Sequence, residues 1–371
     1  MKTIFFITVF TFTFLMAFYV TLRGWQALSS FTNLRTSYLV INIVLFAIML
    51  TNFMLRNVFS DNVAKVMAFI GFSYMILVIY LLLSFLIIDI VRFANLGLHF
   101  APAGMKTFRL GAFAVSIVIT TVAMLVGNYN FNNPKIVNLN IKSEKQLQGK
   151  KLRIVAASDL HLGVSIDKKM LQKYVALINA QQPDIVVFAG DIADHSTEPI
   201  IRQNMAEEFR SIQSKLGVYA ITGNHEYFGE SPFALEDYLK TAGVTYLRDS
   251  AVLVDSSFYV VGRDDKMNTK RQSLNELVKG IDTNKTMILL DHQPFQLDEA
   301  AKNNIDLQIS GHTHNGQFFP GSLIVPRMYE VAHGYLKKDR THYYVSSGLG
   351  LWGPQYRIGT QSELVVIDLE Y

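Results

Sequence analysis

The hydrophobic and polar positions of the chain follow two different patterns. Residues 1–130 contain four apolar segments without a charge, at residues 4–22, 37–55, 66–88 and 110–126. Each is close to the ~20 residues that a helix needs to cross the hydrocarbon layer. From residue 151 onward, short β-branched runs alternate with amphipathic stretches, and charges recur regularly. The pattern predicts a transmembrane region in residues 1–130, a tether with an edge strand in residues 131–150, and an α/β domain in residues 151–371.

The apolar segments predict an integral, multi-pass membrane protein. The first is also compatible with a cleaved signal peptide, although no small-residue cleavage pattern follows it. Lysines and arginines are almost equally frequent in the loops on the two sides of the membrane. Their distribution therefore does not predict which side carries the α/β domain. Asp89 and Arg92 lie one helical turn apart at the end of the third segment, and we expect them to form an ion pair.

Five apolar runs in the second half predict buried strands, because strands covered on both faces are apolar throughout. These are "LRIVAAS", "DIVVFA", "GVYAIT", "TMILLD" and "DLQIS". Between the first two runs, apolar residues recur at helical spacing from Met170 to Ile178 and predict a helix. The alternation predicts an α/β fold with a buried sheet.

Polar residues that can perform chemistry follow directly after these five runs. They occur in "SDLHLG", "GDIAD", "GNHEY", "LLDHQP" and "SGHTHNGQ", and they are Asp159, His161, Asp191, Asp194, Asn224, His225, His292, His312 and His314. Ligands of open α/β sheets bind outside the carboxyl ends of the strands, so we expect these side chains to meet at one edge. If the backbone there is extended, the i, i+2 spacing of His312 and His314 sends both side chains the same way.

The types of these residues predict a site for two metal ions. Two aspartates, one asparagine and four histidines are too many donors for one tetrahedral zinc, but they suit two divalent ions that share a carboxylate. Nitrogen and oxygen donors without thiolate favour manganese, iron or zinc. Two metal ions held close together in this way catalyse phosphoryl displacements. Singly, each residue has an ordinary interpretation: a helix cap for Asp159, a turn former for Asn224 and a loop histidine for His292.

The amino-acid composition excludes several other classes of function. The chain has no cysteine, which excludes disulfides, zinc–thiolate sites and thiol nucleophiles. Its net charge of +4 comes without a long basic run, so we expect no nucleic-acid partner. His195 and His342 belong to no motif and are interpreted as surface or structural histidines.

In order and spacing, the motifs resemble those of the calcineurin-like metallophosphoesterases: D-x-H, G-D-x-x-D, G-N-H-D/E, a single His, and G-H-x-H. The resemblance covers residues 152–371 and implies an α/β/β/α sandwich. It implies a first metal held by Asp159, His161, Asp191 and His314. It implies a second metal held by Asp191, Asn224, His292 and His312. His225 would stabilise the transition state or protonate the leaving oxygen, with Asp194 holding it and raising its pKa.

Within that family, "GHTHNGQ" and "YYVSSGLGLWGPQYRIG" resemble a bacterial membrane-associated branch that includes UDP-diacylglucosamine hydrolases. This implies the cell or inner membrane of a bacterium as the location. The chain departs from the branch at Asn315, where a glycine is usual, and at Ser347, where an arginine is usual. Both positions lie near the place where a substrate would bind.

The sequence therefore predicts a membrane-anchored phosphoesterase with two divalent ions. It would hydrolyse a phosphodiester, phosphomonoester or pyrophosphate bond, on a substrate that we hypothesise to be lipid-linked, with membrane lipid as a further partner. Two other hypotheses compete with this one. A catalytically silent membrane sensor would have lost at least one ligand, and a transporter would carry charges inside its spans. The sequence leaves the substrate and the oligomeric state open.

Overall fold

The computed structural model of the protein describes residues 2–55, 58–99, 105–145, 151–229 and 231–370. The chain divides into two compact units. The first comprises Met1–Val126 with Gly353–Gln355, and the second comprises Gly127–Trp352 with Tyr356–Tyr371. The tether assigned to residues 131–150 falls in the second unit, and its residues 146–150 lie outside the described residues.

Four long helices account for most of the first unit: α1 (Lys2–Ala27), α2 (Thr32–Leu55), α3 (Asp61–Leu98) and α4 (Met105–Asn132), whose end continues into the second unit. All four are long and apolar enough to cross a membrane. Val20, Met49 and Tyr74 pack in a small core between α1, α2 and α3. Many large apolar side chains point outward instead, as Ile87 does at 62% exposure. Helices that are apolar on all sides are typical of membrane spans.

The helices extend beyond the apolar segments that predicted them. Arg23, Asp89, Arg92 and Arg109 lie outside the predicted apolar segments but within these helices. The predicted pair between Asp89 and Arg92 forms, with 3.1 Å between Asp89 Oδ1 and Arg92 Nη1. Hydropathy alone could not locate the helix ends, because a helix continues through the polar headgroup region for as long as its backbone hydrogen bonds are satisfied.

The second unit contains twelve strands among its described residues. In chain order they are β1 (Lys135–Lys142), β2 (Lys151–Ala157), β3 (Ile185–Ala189), β4 (Val218–Ile221), β5 (Val244–Leu247), β6 (Ser250–Val254), β7 (Phe258–Gly262), β8 (Thr286–Leu290), β9 (Leu307–Ser310), β10 (Gly334–Lys338), β11 (Thr341–Val345) and β12 (Glu363–Glu370). The helices are α5 (Lys168–Asn179), α6 (Glu198–Arg202), α7 (Ala206–Arg210), α8 (Pro232–Lys240), α9 (Leu274–Leu277), α10 (Asp298–Lys302) and α11 (Gly321–Ile324).

These strands form two six-stranded sheets. The first has the order β1-β12-β2-β3-β4-β5 and the second has the order β10-β11-β9-β8-β7-β6. Strands β2 to β5 are parallel to one another, as are β7, β8, β9 and β11. The five strands predicted from the sequence are therefore shared between two sheets and do not form a single one. Buried strands of both sheets are equally apolar, so their sequences do not show which sheet each one joins.

The sheets pack face to face, with helices on both outer faces. Along β3, Ile185 and Val187 point into the core between the sheets, while Val186 and Phe188 point to the outer face. The outer face of the first sheet packs against Leu171 and other residues of α5, α7 and α8. The second sheet is covered by α9 and α10. This arrangement confirms the α/β/β/α sandwich.

The helix predicted between the first two strands is α5. It begins after Asp167, whose side chain accepts a hydrogen bond from the Met170 N–H at 3.2 Å. A cap of this kind contributes about 1 kcal/mol to helix stability. Leu171, Tyr174 and Ile178 lie on one stripe of the helix and are buried against the sheet. Packing of that stripe fixes the β2–α5–β3 connection, and thereby the loops at the ends of both strands.

Candidate metal centre

The loops after β2, β3 and β9 have an unusual backbone conformation. Five of the seven predicted ligands have positive φ: Asp159 (55°), His161 (48°), Asp191 (51°), His312 (72°) and His314 (50°). The condition of an extended backbone, under which the side chains of His312 and His314 would point the same way, is therefore not met. Non-glycine residues rarely adopt this region, and such strained residues cluster at functional sites.

Hydrogen bonds between the loops hold this conformation in place. The Asp159 N–H donates to Gly190 O and the His161 N–H donates to Asp191 O, each at 3.0 Å. The His312 N–H donates to both carboxylate oxygens of Asp159, at 3.0 and 3.2 Å. Because β9 belongs to the second sheet, this last contact joins the two sheets at the site.

Glycines allow the loops to approach one another this closely. A Cβ at Gly223 would overlap the carboxylate of Asp191. A Cβ at Gly190, where φ is +86°, would overlap the ring of His292. These glycines therefore leave space for the side chains that the sequence identified as ligands.

Asp159, His161 and His314 form a first cluster of donors. The Nε2 atoms of His161 and His314 are 3.1 Å apart, and His314 Nε2 is 3.3 Å from Asp159 Oδ1. All three side chains are buried. Burial raises the pKa of Asp159, because no solvent stabilises its charge.

Asp191, His292, His312 and Asn224 form a second cluster. His292 Nε2 is 3.1 Å from Asp191 Oδ2, yet this nitrogen makes no hydrogen bond among the described residues. The other ring nitrogen of His292, Nδ1, donates to Ala189 O at 2.7 Å, which fixes the orientation of the ring. Asn224 Oδ1 and His312 Nδ1 are 2.7 Å apart.

The spacing of these donors fits shared cations. Ligand atoms about 2.1 Å from one ion lie about 3.0 Å apart at octahedral angles and about 3.4 Å apart at tetrahedral angles. The separations of 3.1 and 3.3 Å in the first cluster, and of 3.1 Å between Asp191 and His292, match that range. Buried nitrogen and oxygen donors this close together, among them a His292 Nε2 with no hydrogen bond to the described residues, are best explained as ligands of divalent metals.

Charge in the second cluster is shared between Asp191 and His292. Burial disfavours the charged form of each, but each stabilises the charge of the other. The pKa of Asp191 is therefore held well below its usual range, and the pKa of His292 is raised well above it. Burial lowers the pKa of His312 to about 3, so this ring is neutral and able to act as a ligand. A cation bound here would displace the proton on His292, which makes binding weaker as the pH falls.

His225 lies beside the first cluster, with its ring centroid 4.4 Å from that of His161. Its Nδ1 donates to the main-chain oxygen of Asp194 at 2.5 Å, whereas the Asp194 carboxylate is 3.8 Å away. The resemblance suggested that Asp194 raises the pKa of His225. Asp194 does raise this pKa, but burial and the charge of His161 outweigh its effect and lower the pKa to about 4. The Asp194 carboxylate lies nearer to His161 Nδ1, at 3.6 Å, and to His195 Nδ1, at 3.3 Å.

Three further residues contribute to the site, and the sequence did not predict their roles, although Glu226 is the last position of the G-N-H-D/E motif. Buried Glu226 accepts hydrogen bonds from the Ala193 N–H at 2.8 Å and the Gly223 N–H at 2.7 Å, which joins the loops after β3 and β4. Arg357 is fully buried and donates to His314 O at 3.1 Å. His195, interpreted from the sequence as a surface or structural residue, is half exposed beside Asp194. The only sequence signal for any of these three residues was the position of Glu226, directly after His225 in "GNHEY".

Comparison with known proteins gives a consistent result. Residues 152–316 match the family model described as calcineurin-like phosphoesterase. The chain is 30% identical over 266 residues to an uncharacterized metallophosphoesterase of Campylobacter jejuni, covering 70% of each chain. It is 31% identical over 260 residues to an uncharacterized metallophosphoesterase of Aquifex aeolicus, covering 67% of this chain and 98% of that one. It is 31% identical over 275 residues to a Danio rerio transmembrane protein with metallophosphoesterase domain, covering 69% of this chain and 62% of that one.

The four apolar helices and the transmembrane relatives of Danio rerio and Bos taurus indicate a membrane protein. The family uses divalent metals, and the two donor clusters supply suitable ligands for them. With relatives of at least 30% identity aligned over 70% and 98% of their own lengths, the chain belongs to the calcineurin-like metallophosphoesterases and is a metal-dependent phosphoesterase.

Proposed function

We propose that the protein is a membrane-anchored phosphoesterase with two metal ions that hydrolyses a phosphodiester, phosphomonoester or pyrophosphate bond with a metal-activated water. The position of Asp191 carries this proposal. Its Oδ2 is 3.1 Å from His292 Nε2 in the second cluster and 3.8 Å from His161 Nε2 in the first. One carboxylate between two groups of ligands is the arrangement that two neighbouring ions require.

In this proposal the first ion is held by Asp159, His161, Asp191 and His314 and the second by Asp191, Asn224, His292 and His312. The donor set of nitrogen and oxygen atoms favours manganese, iron or zinc. The ions would supply a nucleophilic hydroxide near neutral pH and stabilise the charge on the phosphoryl oxygens. The Asp194 carboxylate lies 3.6 Å from His161 Nδ1, where its charge favours this orientation of the proposed ligand.

His225 has a role in proton transfer rather than in metal binding. Its Nδ1 is engaged by the main chain of Asp194, which leaves Nε2 free for the substrate. With a pKa of about 4, the ring is neutral at pH 7. Protonation of a leaving oxygen therefore requires the negative charge of a bound phosphate, which favours the imidazolium form. Without that proton, Nε2 can only accept a hydrogen bond, for example from a water, because Nδ1 carries the single ring proton.

A lipid-linked or envelope substrate is the proposed substrate class. The four apolar helices support it, since they keep the catalytic domain tethered at a membrane. The description of the Danio rerio relative as a transmembrane protein points the same way. The resemblance to a bacterial branch adds the proposal that the membrane is a bacterial cell or inner membrane.

Matched substrates test this class. The full-length protein in lipid nanodiscs would be assayed on a lipid-linked pyrophosphate and on a water-soluble pyrophosphate with the same head group. We expect kcat/KM to be at least about tenfold higher for the lipid-linked substrate, because the tether raises its effective concentration at the site. Equal values for the two substrates would contradict the lipid assignment and leave the phosphoesterase assignment intact.

The silent-sensor hypothesis predicts no turnover of any substrate. All seven predicted ligands are present, and each of them has a donor atom within 3.3 Å of another predicted ligand. This geometry favours the enzyme. Hydrolysis of an aryl phosphodiester by the purified protein with added manganese or zinc would exclude the sensor. Absence of hydrolysis with full metal occupancy would favour it.

A further inference from the structure

The helical unit contains a pocket of unusual charge between α1, α3 and α4. Its lining includes Arg23 of α1, Asp89 and Arg92 of α3, and Arg109 of α4, with Phe85 and Phe113 among its apolar walls. Three arginines and a single aspartate thus line one pocket with largely apolar walls. Charged residues inside membrane helices are costly and are retained for a function.

The carboxylate of Asp89 is already fully engaged. It accepts hydrogen bonds from the hydroxyl of Tyr19 at 2.6 Å, from Arg92 Nη1 at 3.1 Å and from Arg23 Nη2. Arg23 Nη1 donates in addition to Gln26 at 3.0 Å. Among the described residues, the Nε atoms of Arg23, Arg92 and Arg109 make no hydrogen bond. The pocket therefore retains donors and positive charge beyond what Asp89 can balance.

No other acidic residue of this region can supply the missing charge. Residues 1–130 contain only two acids, Asp61 and Asp89. Asp61 begins α3, 28 residues before Asp89, which corresponds to about 40 Å along a helix. The three arginines and Asp89 leave a net charge of about +2, which an anion from outside the chain would balance.

The position of the pocket indicates the kind of anion. Arg23 lies in the last turns of α1 and Arg109 in the first turns of α4, so the pocket is at one end of the helices, at headgroup depth. Trp25, with Arg35 stacked 3.8 Å over its ring, lies next to it along the chain and is typical of the membrane interface. Exposed apolar residues, among them Ile90 and Phe93 of α3, continue from the pocket along the surface of the helix.

We propose that this pocket binds the phosphate group of an anionic membrane lipid, whose acyl chains lie against the exposed apolar surface of α3. Arginine presents a planar fork of donors that matches phosphate oxygens. Basic pockets between transmembrane helices bind phosphorylated head groups in this way. The site belongs to the helical unit and is independent of the hydrolytic reaction.

Binding of defined lipids to the full-length protein in a neutral detergent tests the proposal. Native mass spectrometry would measure the affinity for dioleoyl phosphatidic acid and for dioleoyl phosphatidylcholine. We expect one phosphatidic acid to bind at least about tenfold more tightly than phosphatidylcholine. Equal affinities would overturn the proposal. Displacement of phosphatidic acid by inorganic phosphate alone would assign the pocket to free phosphate and overturn the lipid assignment.

Arg109→Gln is the diagnostic variant, because Asp89 is occupied by the other two arginines and the helix contacts should survive the change. We expect it to weaken phosphatidic acid binding by about tenfold, the effect of losing a charge-assisted hydrogen bond. Arg35→Gln is the matched control: it removes an arginine near the same end of the helices but outside the pocket, and should leave the affinity within about twofold. Equal loss in both variants would show general charge attraction and overturn the pocket assignment. Unchanged affinity in Arg109→Gln would do the same.

Discussion

His225 lies next to the first donor cluster but has its Nδ1 held by the main chain of Asp194. We expect His225→Ala to retain its metal content and to lose about 10²- to 10⁴-fold in kcat, the usual contribution of a positioned acid or base. Kinetics on an aryl phosphodiester together with metal analysis would measure both effects. His342→Ala is the control, because that ring pairs with Tyr335 on β10. A wild-type rate in His225→Ala would contradict the proton-transfer role.

Glu226 connects two loops of the site through its two carboxylate oxygens. Glutamine offers only one acceptor oxygen, so Glu226→Gln would leave one buried N–H facing an amide donor. We expect it to lower the free energy of unfolding by about 1–3 kcal/mol and to weaken metal binding by about tenfold. Thermal unfolding and metal titration would measure these changes. Glu198→Gln, at an exposed ion pair, should change neither; equal effects in both variants would contradict the linking role of Glu226.

Individual residues of the site were predictable to different degrees. The donors in D-x-H and G-H-x-H could be named because metal ligands require particular side chains in short, ordered motifs. Positive φ at Asp159 and His312 could not be foreseen, since it arises from contacts between distant loops. Arg357 was missed for a related reason. It acts by donating to the main-chain oxygen of His314, and such a contact leaves no pattern in the sequence.

Glu363, at the start of β12, joins elements of both sheets. Its carboxylate accepts hydrogen bonds from the Ser347 N–H at 2.9 Å and from Tyr344 of β11 at 3.0 Å, and lies 3.1 Å from His333. Burial alone would raise the pKa of Glu363, but the hydrogen bond and charge of His333 and the Ser347 N–H lower it to about 2. The ionised carboxylate therefore stabilises the folded state at neutral pH.

The sign of this shift gives a pH dependence. The folded pKa of about 2 lies below the ordinary 4.5, so the stabilisation is complete above pH 4.5 and is lost as the pH falls towards 2. The shift corresponds to on the order of 3 kcal/mol. We expect Glu363→Gln to be less stable at neutral pH and to lose less stability on acidification than the wild type. Denaturant unfolding at several pH values would measure this, and parallel curves for the two proteins would contradict it.

At the scale of elements, the strands were easier to predict than their arrangement. The five buried runs correspond to β2, β3, β4, β8 and β9, because apolar β-branched runs of this length seldom form anything else. Their division between two sheets depends on pairing with β7, β11 and β12, which have weaker patterns. The four apolar segments predicted α1 to α4, but not the extent of these helices into polar sequence.

For the whole molecule, the two halves of the sequence differ in hydropathy, and the structure divides close to the same place, at Val126. Metal binding and folding should be coupled in the second unit, because buried donors such as Asp159 and Asp191 lose their solvation without a cation. We expect a chelator to abolish hydrolysis and to lower the unfolding temperature of the full-length protein. Added manganese or zinc should restore both, and an unchanged unfolding temperature would contradict the coupling.

Metal stoichiometry of the purified protein tests most directly whether the two donor clusters share Asp191. Elemental analysis of the wild type should give two divalent ions per chain. Asp191→Asn should retain fewer than one and lose more than about a hundredfold in kcat/KM, since both ions would lose a charged ligand. A wild type that holds one ion at most when metal is in excess, or an Asp191→Asn variant that still holds two, would contradict the shared carboxylate.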